Sequence, residues 1–377
     1  MINFEYHLPV NLILGAGKTT EIGVKTACYG TKALVVTGQN STKKSGLLGR
    51  VVTLLHEAGA EAVVFDQVTP NPLSTTAEKG KELAVKEQCD VVVAVGGGSI
   101  IDCAKAIAFM VKNDGDIFEY IYGEKNGTDA LPLIALPTTC GTGSEGNCFA
   151  VLTNPDTGDK KSLRNIVSVP KASIIDPELM ITMPRHVAAS VMFDALCHNM
   201  EAYLSRSTQP LVEIQALHAV QLLTANMTQA LESTENMDAW SSVCFASTLG
   251  GMCINNAGVI LPHGMEHPAS GLRDIVHGRG LAALAPVIYE ATVPKAPEKF
   301  EVLAGLMGGK TASDFVPLLK ELIARAGLTT TLSKEGVKAE DVDWMTDNCL
   351  KVSAAAILSH PVHFEKEKIK ELYLKAL

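Results

Sequence analysis

Short, almost uninterrupted apolar runs alternate with amphipathic stretches along the first half of the chain. The runs predict four strands, at residues 32–37, 61–66, 90–95 and 131–136. The stretches between them predict three helices, one ending near Ala58, one from about Ser74 to Glu87 and one from Ser99 to about Lys112. Apolar strands separated by helices are typical of a parallel sheet covered on both faces, so we expect an α/β domain here.

The pattern changes near residue 183, where the apolar runs give way to helical spacing. Thr182 as cap and Pro184 in the first turn predict the start of a helix that reaches about Ser205. Further helices are predicted at residues 211–231, 239–256, 313–326 and 341–358. Just before this change, residues 147–163 carry a turn signal in their middle and predict a β-hairpin.

A chain of 377 residues exceeds what one hydrophobic core normally serves. We therefore expect two domains, an α/β domain over residues 1–182 and an α-helical domain over residues 183–377. Hydrophobic residues make up 47% of the chain and charged residues 19%, which indicates a globular rather than a disordered protein.

Charge and cysteine content narrow the expected partners. The net charge is −9 and no basic run of the kind that binds phosphate backbones is present, so we expect no nucleic acid partner. The nine cysteines contain no Cys-x-x-Cys pair, which favours reduced thiols over a disulfide framework. Residues 1–7 predict no signal peptide, and no apolar run approaches the ~20 residues that span a bilayer. We expect a cytoplasmic protein without a membrane partner.

A glycine-rich turn, Gly96-Gly97-Gly98-Ser99, follows the third predicted strand and opens a helix that carries Asp102. Glycines let the backbone approach a pyrophosphate, and the free N–H groups at a helix start attract its charge. The spacing is not Gly-x-Gly-x-x-Gly, so the turn predicts a different phosphate site on a related sheet. A tight turn without any ligand is the alternative.

A second candidate wall of a nucleotide site lies at residues 137–145, directly after the fourth predicted strand. Its hydroxyl side chains include Thr138, Thr139 and Thr142, and open α/β sheets bind ligands at such strand ends. Residues 15–17 also contain two glycines but lack a third at the right offset, so we interpret them as a plain turn.

Four side chains that can hold one divalent metal occupy two short stretches of the second half, Asp194 with His198 and His263 with His277. Asp194 and His198 stand four residues apart, so on a helix they project from one face. Three imidazoles and one carboxylate suit iron(II) or zinc, and the absence of thiolates disfavours a structural zinc site. We expect a catalytic metal in a site that is net positive. Separate hydrogen-bonding roles for these residues are the alternative.

A competing motif overlaps this set. Residues 263–267 match His-x-x-Glu-His, the inverted zinc-peptidase signature, which would make both histidines ligands and Glu266 the general base of a hydrolase. Pro262 and Gly264 make the regular helix that this motif needs less secure. The motif also leaves the other metal candidates and the glycine turn without a role, and short patterns recur by chance.

In this order, the motifs resemble the iron-containing (group III) alcohol dehydrogenase family over nearly the whole chain. The segments that carry the resemblance are residues 96–105, 137–145, 176–179, 194–203 and 263–278. The resemblance implies a Rossmann-like N-terminal nucleotide-binding domain and an all-α C-terminal metal-binding domain, in a dehydroquinate-synthase-like architecture. It also implies a metal between the two domains and usually a homodimer.

Carried over by position, the resemblance implies roles for individual residues. The implied metal ligands are Asp194, His198, His263 and His277, the implied proton relay is His267, and the implied cofactor contacts are Gly97, Gly98, Asp102, Thr138, Thr139, Thr142 and Lys160. The implied reaction is hydride transfer between a nicotinamide nucleotide and a small alcohol or aldehyde whose oxygen binds Fe²⁺ or, alternatively, Zn²⁺. Glycerol or diol dehydrogenases and maleylacetate reductases share this plan and stay open as alternatives.

One departure from the family pattern bears on the cofactor. Many NAD-using members carry Asp just after the strand that ends here at Thr37, where a carboxylate accepts ribose hydroxyls and repels a 2′-phosphate. This sequence has no acidic residue from Gly38 to Ser41. Ser41 and Lys43 can instead donate to a phosphate, so we expect NADP(H) to be accepted, with NAD(H) use open.

Overall fold

The first half of the chain is built on a parallel sheet. In residues 4–377, which the computed structural model describes, the strands are β1 (Asn11–Leu14), β2 (Lys32–Gly38), β3 (Glu61–Val68), β4 (Val91–Gly96), β5 (Leu133–Pro137), β6 (Phe149–Thr153), β7 (Lys160–Arg164) and β8 (Ala172–Ile175). Six of them form one sheet in the order β1-β8-β5-β4-β2-β3, and all neighbouring pairs are parallel. The predicted absence of a signal peptide falls partly on residues 1–3, which lie outside the described residues.

The central strands are apolar on both sides because helices cover both faces of the sheet. Every residue of β4 and β5 is buried. Side chains alternate between two separate apolar cores, with Leu34 and Val92 on one face and Val35 and Val93 on the other. The predicted α/β fold with a parallel sheet is confirmed.

The remaining regular structure is helical. The α-helices are α1 (Ile22–Ala27), α2 (Ser41–Lys44), α3 (Leu47–Glu57), α4 (Ser74–Lys86), α5 (Gly98–Met110), α6 (Ile117–Ile121), α7 (Pro177–Met180), α8 (Arg185–Leu204), α9 (Pro210–Glu232), α10 (Met237–Ala257), α11 (Leu261–Arg273), α12 (His277–Thr292), α13 (Pro297–Leu306), α14 (Phe315–Ala326), α15 (Val342–Val352), α16 (Ala354–Ser359) and α17 (Lys366–Ala376). Phe193, Leu223 and Trp240 pack in the apolar core that α8, α9 and α10 share. The predicted helical C-terminal region is confirmed.

The start of α8 differs from the prediction. The helix begins at Arg185, and Pro184 is its extended cap residue rather than a member of the first turn. The Thr182 hydroxyl does not cap α8, because it donates to the carbonyl of Leu179 at 2.8 Å. The strands β1 and β8 were also not predicted, because each is four residues long and too short to show a periodic pattern.

Two helices in the second half also differ from the prediction. The predicted helix at residues 341–358 is interrupted at Ser353, which separates α15 from α16. The expectation that Pro262 and Gly264 make the regular helix at the motif of residues 263–267 less secure is wrong, because α11 spans this motif. Pro262 lies in the first turn, where its missing N–H has no intrahelical partner to lose.

The turn at residues 15–17 has a structural explanation. Asp176, the cap residue of α7, accepts hydrogen bonds from the backbone N–H groups of Gly17 at 3.1 Å and Thr19 at 2.9 Å. These bonds connect the end of β1 to the end of β8, its neighbour in the sheet. The segment therefore serves as a turn, in line with its interpretation from sequence.

The predicted hairpin at residues 147–163 is confirmed as the antiparallel pair β6–β7. Asp159 lies in the connection between β6 and β7. It accepts hydrogen bonds from the second half of the chain, from Lys351 Nζ at 2.6 Å and Asn348 Nδ2 at 2.7 Å. Tyr122 Oη donates to the same carboxylate at 2.5 Å. This buried carboxylate therefore ties the α/β part of the chain to α15.

We expect Asp159→Asn to lower the free energy of unfolding by about 1–3 kcal/mol, because it leaves buried donors without their charged acceptor. Burial acts to raise the pKa of the Asp159 carboxyl, but the bonds from Lys351, Tyr122 and Asn348 outweigh it and hold this pKa below its usual value. The stabilisation is therefore present above about pH 4 and is lost as the pH falls through the lowered pKa of the folded protein. Urea unfolding at several pH values measures this loss.

The matched control is Asp343→Asn, which removes an exposed carboxylate that pairs with Lys370 at the surface. Exposed pairs contribute little, so this variant is expected to change the free energy of unfolding by less than about 1 kcal/mol. Equal effects of the two substitutions would contradict the structural role assigned to Asp159.

No single helix among residues 4–377 has the length and apolar composition needed to cross a membrane. One pair of consecutive helices, Met237–Ala257 and Leu261–Arg273, meets the length and composition criteria only when taken together, and it bends by 102°.

Candidate functional site

Three helices bring the candidate metal ligands to one point. Asp194 and His198 project from the same face of α8, as their spacing predicts. His263 comes from α11, and His277 is the first residue of α12. Asp194, His198 and His263 are buried, and His277 is partly exposed.

The candidate ligand atoms converge on one carboxylate oxygen. Asp194 Oδ1 lies 3.2 Å from His263 Nε2 and 3.6 Å from Nε2 of both His198 and His277. When a tetrahedral cation is held about 2.1 Å from each ligand, the ligand atoms stand about 3.4 Å apart. The donor atoms of Asp194, His263 and His277 all lie within 4.8 Å of one another, which fits one shared divalent cation, and His198 stands outside this set although its Nε2 atom is near Asp194.

Two buried carboxylates contact the Nδ1 atoms of two candidate ligand imidazoles. This role was not predicted from the sequence. Glu201 Oε1 lies 2.6 Å from His263 Nδ1, and Glu266 Oε2 contacts His277 Nδ1. Such partners fix the tautomer, so that Nε2 of each ring would be free to bind a cation. The signal was present in the helical spacing, because Glu201 follows His198 by three residues and Glu266 follows His263 by three.

The electrostatics of the cluster favour a bound positive charge. Burial acts to raise the pKa of the Asp194 carboxyl, but the charges of His198 and His277 and the hydrogen bond from His263 hold it well below its usual value. Burial acts to lower the pKa of the His263 imidazole, but Glu201 and Asp194 outweigh it and raise this pKa. A proton or a metal ion is therefore needed among these carboxylates.

The expectation that one carboxylate among the ligands leaves the metal site net positive stays a prediction, and buried groups around the ligands change the charge of their surroundings. Glu201 and Glu266 add two buried carboxylates to that of Asp194. Three carboxylates exceed the two charges of a divalent cation, while the ammonium of Lys160 lies 4.0 Å from Glu266 and offsets one of them. Counting only the candidate ligands left these supporting groups out of the charge balance.

The peptidase motif does not have the geometry of a general base beside a metal. Glu266 is fully buried, accepts a hydrogen bond from Ser270 Oγ at 2.5 Å and contacts His277. Its carboxylate is therefore used to orient an imidazole and not to activate water. The ring centroids of His263 and His267 are 6.1 Å apart, and His267 stands outside the group that converges on Asp194.

The glycine turn (residues 96–99) and the threonine loop (residues 137–145) lie against each other. β4 ends at Gly96 and α5 begins at Gly98, as the strand–turn–helix prediction requires. A Cβ atom on Gly98 would stand 2.4 Å from Thr142 Oγ1, and one on Gly97 would stand 2.9 Å from Thr139 Oγ1. Glycine permits this close approach, and Gly98 and Ser99, at the N-terminus of a 13-residue helix that can attract an anion, line a cavity.

The threonine loop also reaches the metal candidates. The backbone N–H of Thr138 donates to the carbonyl of Gly96 at 3.0 Å, which joins the loop to the glycine turn. The carbonyl of Gly141 lies 3.3 Å from His198 Nδ1, which orients that imidazole. One loop therefore connects the candidate nucleotide site with the candidate metal site.

One cavity of about 140 Å³ brings both sites together. Of the predicted cofactor contacts it is lined by Gly98, Ser99, Asp102, Thr142 and Lys160. The candidate ligands Asp194, His198, His263 and His277 line it too, as does His267. The other predicted cofactor contacts, Gly38, Ser41, Gly96, Gly97, Thr138 and Thr139, are not part of its wall. Gly38 and Gly96 end the paired strands β2 and β4, so they lie along the same edge of the sheet.

A buried lysine behind this cavity is not among the residues predicted from sequence. Lys105 Nζ donates to Ser144 Oγ at 2.8 Å, Asn147 Oδ1 at 2.9 Å and the carbonyl of Phe149 at 2.8 Å. Ser144 Oγ in turn donates to Asp102 at 2.5 Å. Burial lowers the pKa of Lys105 to about 8. The network positions Asp102 on the cavity wall, and its signal was the three-residue spacing of Asp102 and Lys105 on one helix.

Next to β2, one of the two predicted phosphate donors already contacts a carboxylate, which would compete with a bound phosphate. Ser41 is the first residue of α2, and Lys43 Nζ contacts the carboxylate of Asp66 on the neighbouring strand β3. The hydrogen bond from Lys43 lowers the pKa of Asp66. Lys43 is therefore already paired with a carboxylate on the next strand.

Comparison with known proteins places both halves of the chain in one family. Residues 9–177 match the family model described as iron-containing alcohol dehydrogenase, and residues 188–377 match the C-terminal model of the Fe-containing alcohol dehydrogenase family. The 1,3-propanediol dehydrogenase of Citrobacter freundii is 35% identical over 99% of this chain and 98% of its own length. The NADH-dependent butanol dehydrogenase A of Clostridium acetobutylicum is 29% identical over 100% of both chains.

A solved structure has the same architecture. The crystal structure of the archaeal halo-thermophilic Red Sea brine pool alcohol dehydrogenase ADH/D1 superposes with a TM-score of 0.95 at 33% sequence identity. The superposition covers 100% of each chain, so the sheet and the helical region correspond over their full length.

Proposed function

Because the chain belongs to the iron-containing alcohol dehydrogenase family, we propose that it catalyses the NAD(P)-linked interconversion of a small alcohol and its aldehyde. The observation that carries this proposal is the convergence of Asp194, His198, His263 and His277 in one cavity with the glycine turn. The residues present fit a metal, because the donor atoms of Asp194, His263 and His277 lie within 4.8 Å of one another and combine a carboxylate with imidazoles.

The two bound groups would supply the reactive chemistry. Iron(II) or zinc held by the four ligands would polarise the oxygen of an alcohol or aldehyde. A nicotinamide nucleotide along the glycine turn would donate or accept hydride. The protein itself contributes the placement of both groups. Glu201 and Glu266 orient the ligand imidazoles, and the helix start at Gly98 attracts the pyrophosphate.

His267 is the candidate for proton transfer. It lines the cavity beside the metal candidates, and its ring centroid lies 5.7 Å from that of His277. Burial, followed by the charge of Lys160, holds the pKa of the His267 imidazole well below its usual value. A neutral ring can accept a proton at one nitrogen and release another from the opposite nitrogen, so His267 can connect the cavity with solvent.

The cofactor proposal covers both nicotinamide nucleotides. NAD(H) is supported by the relative named as NADH-dependent. NADP(H) acceptance is supported by the neutral segment from Gly38 to Ser41. Lys43 reaches a 2′-phosphate only in competition with Asp66, its present partner. We therefore expect NADPH to be used less efficiently than NADH.

The test is an assay of the full chain reconstituted anaerobically with Fe²⁺ and, separately, with Zn²⁺. We expect metal-dependent consumption of NADH, and more slowly of NADPH, with small aldehydes. Oxidation of 1,3-propanediol and glycerol, and reduction of maleylacetate, separate the dehydrogenase from its two alternatives. Turnover that survives removal of the metal by a chelator would contradict the proposal, and peptide hydrolysis without nicotinamide turnover would support the peptidase.

A further inference from the structure

A second cavity, of about 330 Å³, is continuous in its lining with the first. The two cavities share Ser162, Arg164, Val259 and His267. The glycine turn lines only the first of them. Beyond the metal candidates and His267, the site therefore continues into a space that has room for the body of a small organic substrate.

The formally charged side chains of this second cavity are both cations. Lys161 and Arg164 of β7 line it, and its wall contains no Asp or Glu, although the chain carries a net charge of −9. Lys161 Nζ donates to the carbonyl of Val352 at 2.8 Å, and the Arg164 guanidinium lies 4.7 Å from the centroid of the Phe149 ring. Within residues 4–377 neither cation has a carboxylate oxygen within 4.0 Å.

The carboxylate whose charge acts on Lys161 is that of Asp159, and it is already hydrogen-bonded to other side chains. Asp159 accepts bonds from Lys351, Tyr122 and Asn348, as described above. Burial, followed by the charge of Arg164, lowers the pKa of the Lys161 ammonium, so the two cations repel each other in a partly desolvated space. An anionic group bound in this cavity near both cations would reduce this repulsion.

We propose that Arg164 and Lys161 bind the anionic end of the substrate, a short aldehyde or alcohol that carries a carboxylate or sulfonate group. The reacting carbon would then lie beside the metal candidates, and the anion would lie in the second cavity. A guanidinium donates paired N–H groups to both kinds of oxyanion, and an ammonium adds a further donor. This inference rests on the proposed function and narrows its substrate class.

The experiment compares anionic and neutral aldehydes of similar size in the reconstituted enzyme. 4-Oxobutanoate is paired with butanal, and sulfoacetaldehyde is paired with propanal, so that the two arms distinguish carboxylate from sulfonate. The variants are Arg164→Gln, which removes the charge, and Arg164→Lys, which keeps it. The matched control is Arg325→Gln, an exposed arginine of α14 outside both cavities.

We expect the wild-type enzyme to prefer the anionic member of at least one pair. Arg164→Gln should lower kcat/KM for that aldehyde by about 10- to 100-fold, as expected for a charge-assisted hydrogen bond, and should change the neutral partner less than about twofold. Arg164→Lys should retain part of the preference, and Arg325→Gln should retain all of it. Activity on the neutral aldehyde shows that each variant is folded.

Four results would overturn the inference. An equal loss for anionic and neutral aldehydes would show that Arg164 acts on folding or on the reacting centre. A higher KM for the nicotinamide nucleotide instead of the aldehyde would place Arg164 at the cofactor. A wild-type enzyme that prefers the neutral member of both pairs would refute the substrate class while leaving the proposed function intact. If the wild type reduces no aldehyde with either nucleotide, the proposed function fails and this inference fails with it.

Discussion

His263→Ala is expected to lose its bound cation and to lower kcat/KM for aldehyde reduction by at least about 10³-fold. His263 is only 2% exposed, and its Nε2 atom lies 3.2 Å from Asp194 Oδ1. Alanine removes one of four donors and leaves the Glu201 carboxylate buried without the imidazole that it now contacts. A loss of about 4 kcal/mol of transition-state stabilisation corresponds to this factor. Elemental analysis of the purified variant, together with kcat/KM, measures both effects.

The control for this prediction is His218→Ala. His218 is a histidine of α9 whose ring lies 6.2 Å from that of Phe245, and it lines neither cavity. This variant is expected to keep its metal and its activity. An active His263→Ala enzyme without metal would remove the basis of the assignment.

Glu201→Gln is expected to weaken metal binding by about 10- to 100-fold without removing any ligand atom. The Glu201 carboxylate is fully buried and accepts bonds from the Ile260 backbone N–H at 2.7 Å and from His263 Nδ1 at 2.6 Å. Glutamine has the same shape but carries no charge. Its amide nitrogen cannot accept a hydrogen bond, so one of the two donors, the Ile260 N–H or His263 Nδ1, loses its acceptor. Competition with a metal-binding dye measures the affinity, and Glu213→Gln on the surface of α9 is the matched control.

Glu266→Gln distinguishes the dehydrogenase from the peptidase interpretation. Since Glu266 contacts His277 Nδ1, we expect the variant to weaken metal binding to a similar extent. A peptidase that uses Glu266 as general base would instead keep its metal and lose hydrolysis. Unchanged metal affinity in both the Glu201 and the Glu266 variants would contradict the supporting role assigned to these carboxylates.

Strands and helices with a sustained hydrophobic pattern could be predicted from the sequence. Elements that are short or have a locally unusual composition could not. β4 is buried at all six positions, and the run that predicts it is accordingly apolar from Val91 to Val95. α11 is the opposite case, because prolines and glycines are poor helix formers on average. In the folded chain Pro262 occupies the first turn, and tertiary packing overrides the propensity of the remaining residues.

Only those parts of the candidate site that follow from the spacing of residues within one helix could be predicted from the sequence. Residues four apart on one helix, such as Asp194 and His198, share a face that the spacing alone predicts. The approach of α11 and α12 to that face depends on packing between distant segments, and so do the contacts of Glu201 and Glu266 with the imidazoles. The homodimer, the cytoplasmic location and the domain boundary at residues 182 and 183 stay predictions.

The most direct test of the proposed metal centre is the position of the metal in crystals of the Fe²⁺- or Zn²⁺-loaded protein, located by anomalous diffraction. We expect one ion within about 2.0–2.2 Å of Asp194 and of Nε2 of His198, His263 and His277. The structure also contains a second group of possible donors, Glu266, His267 and His277. An ion bound to that group, with the carboxylate of Asp194 uncoordinated, would contradict the proposed centre.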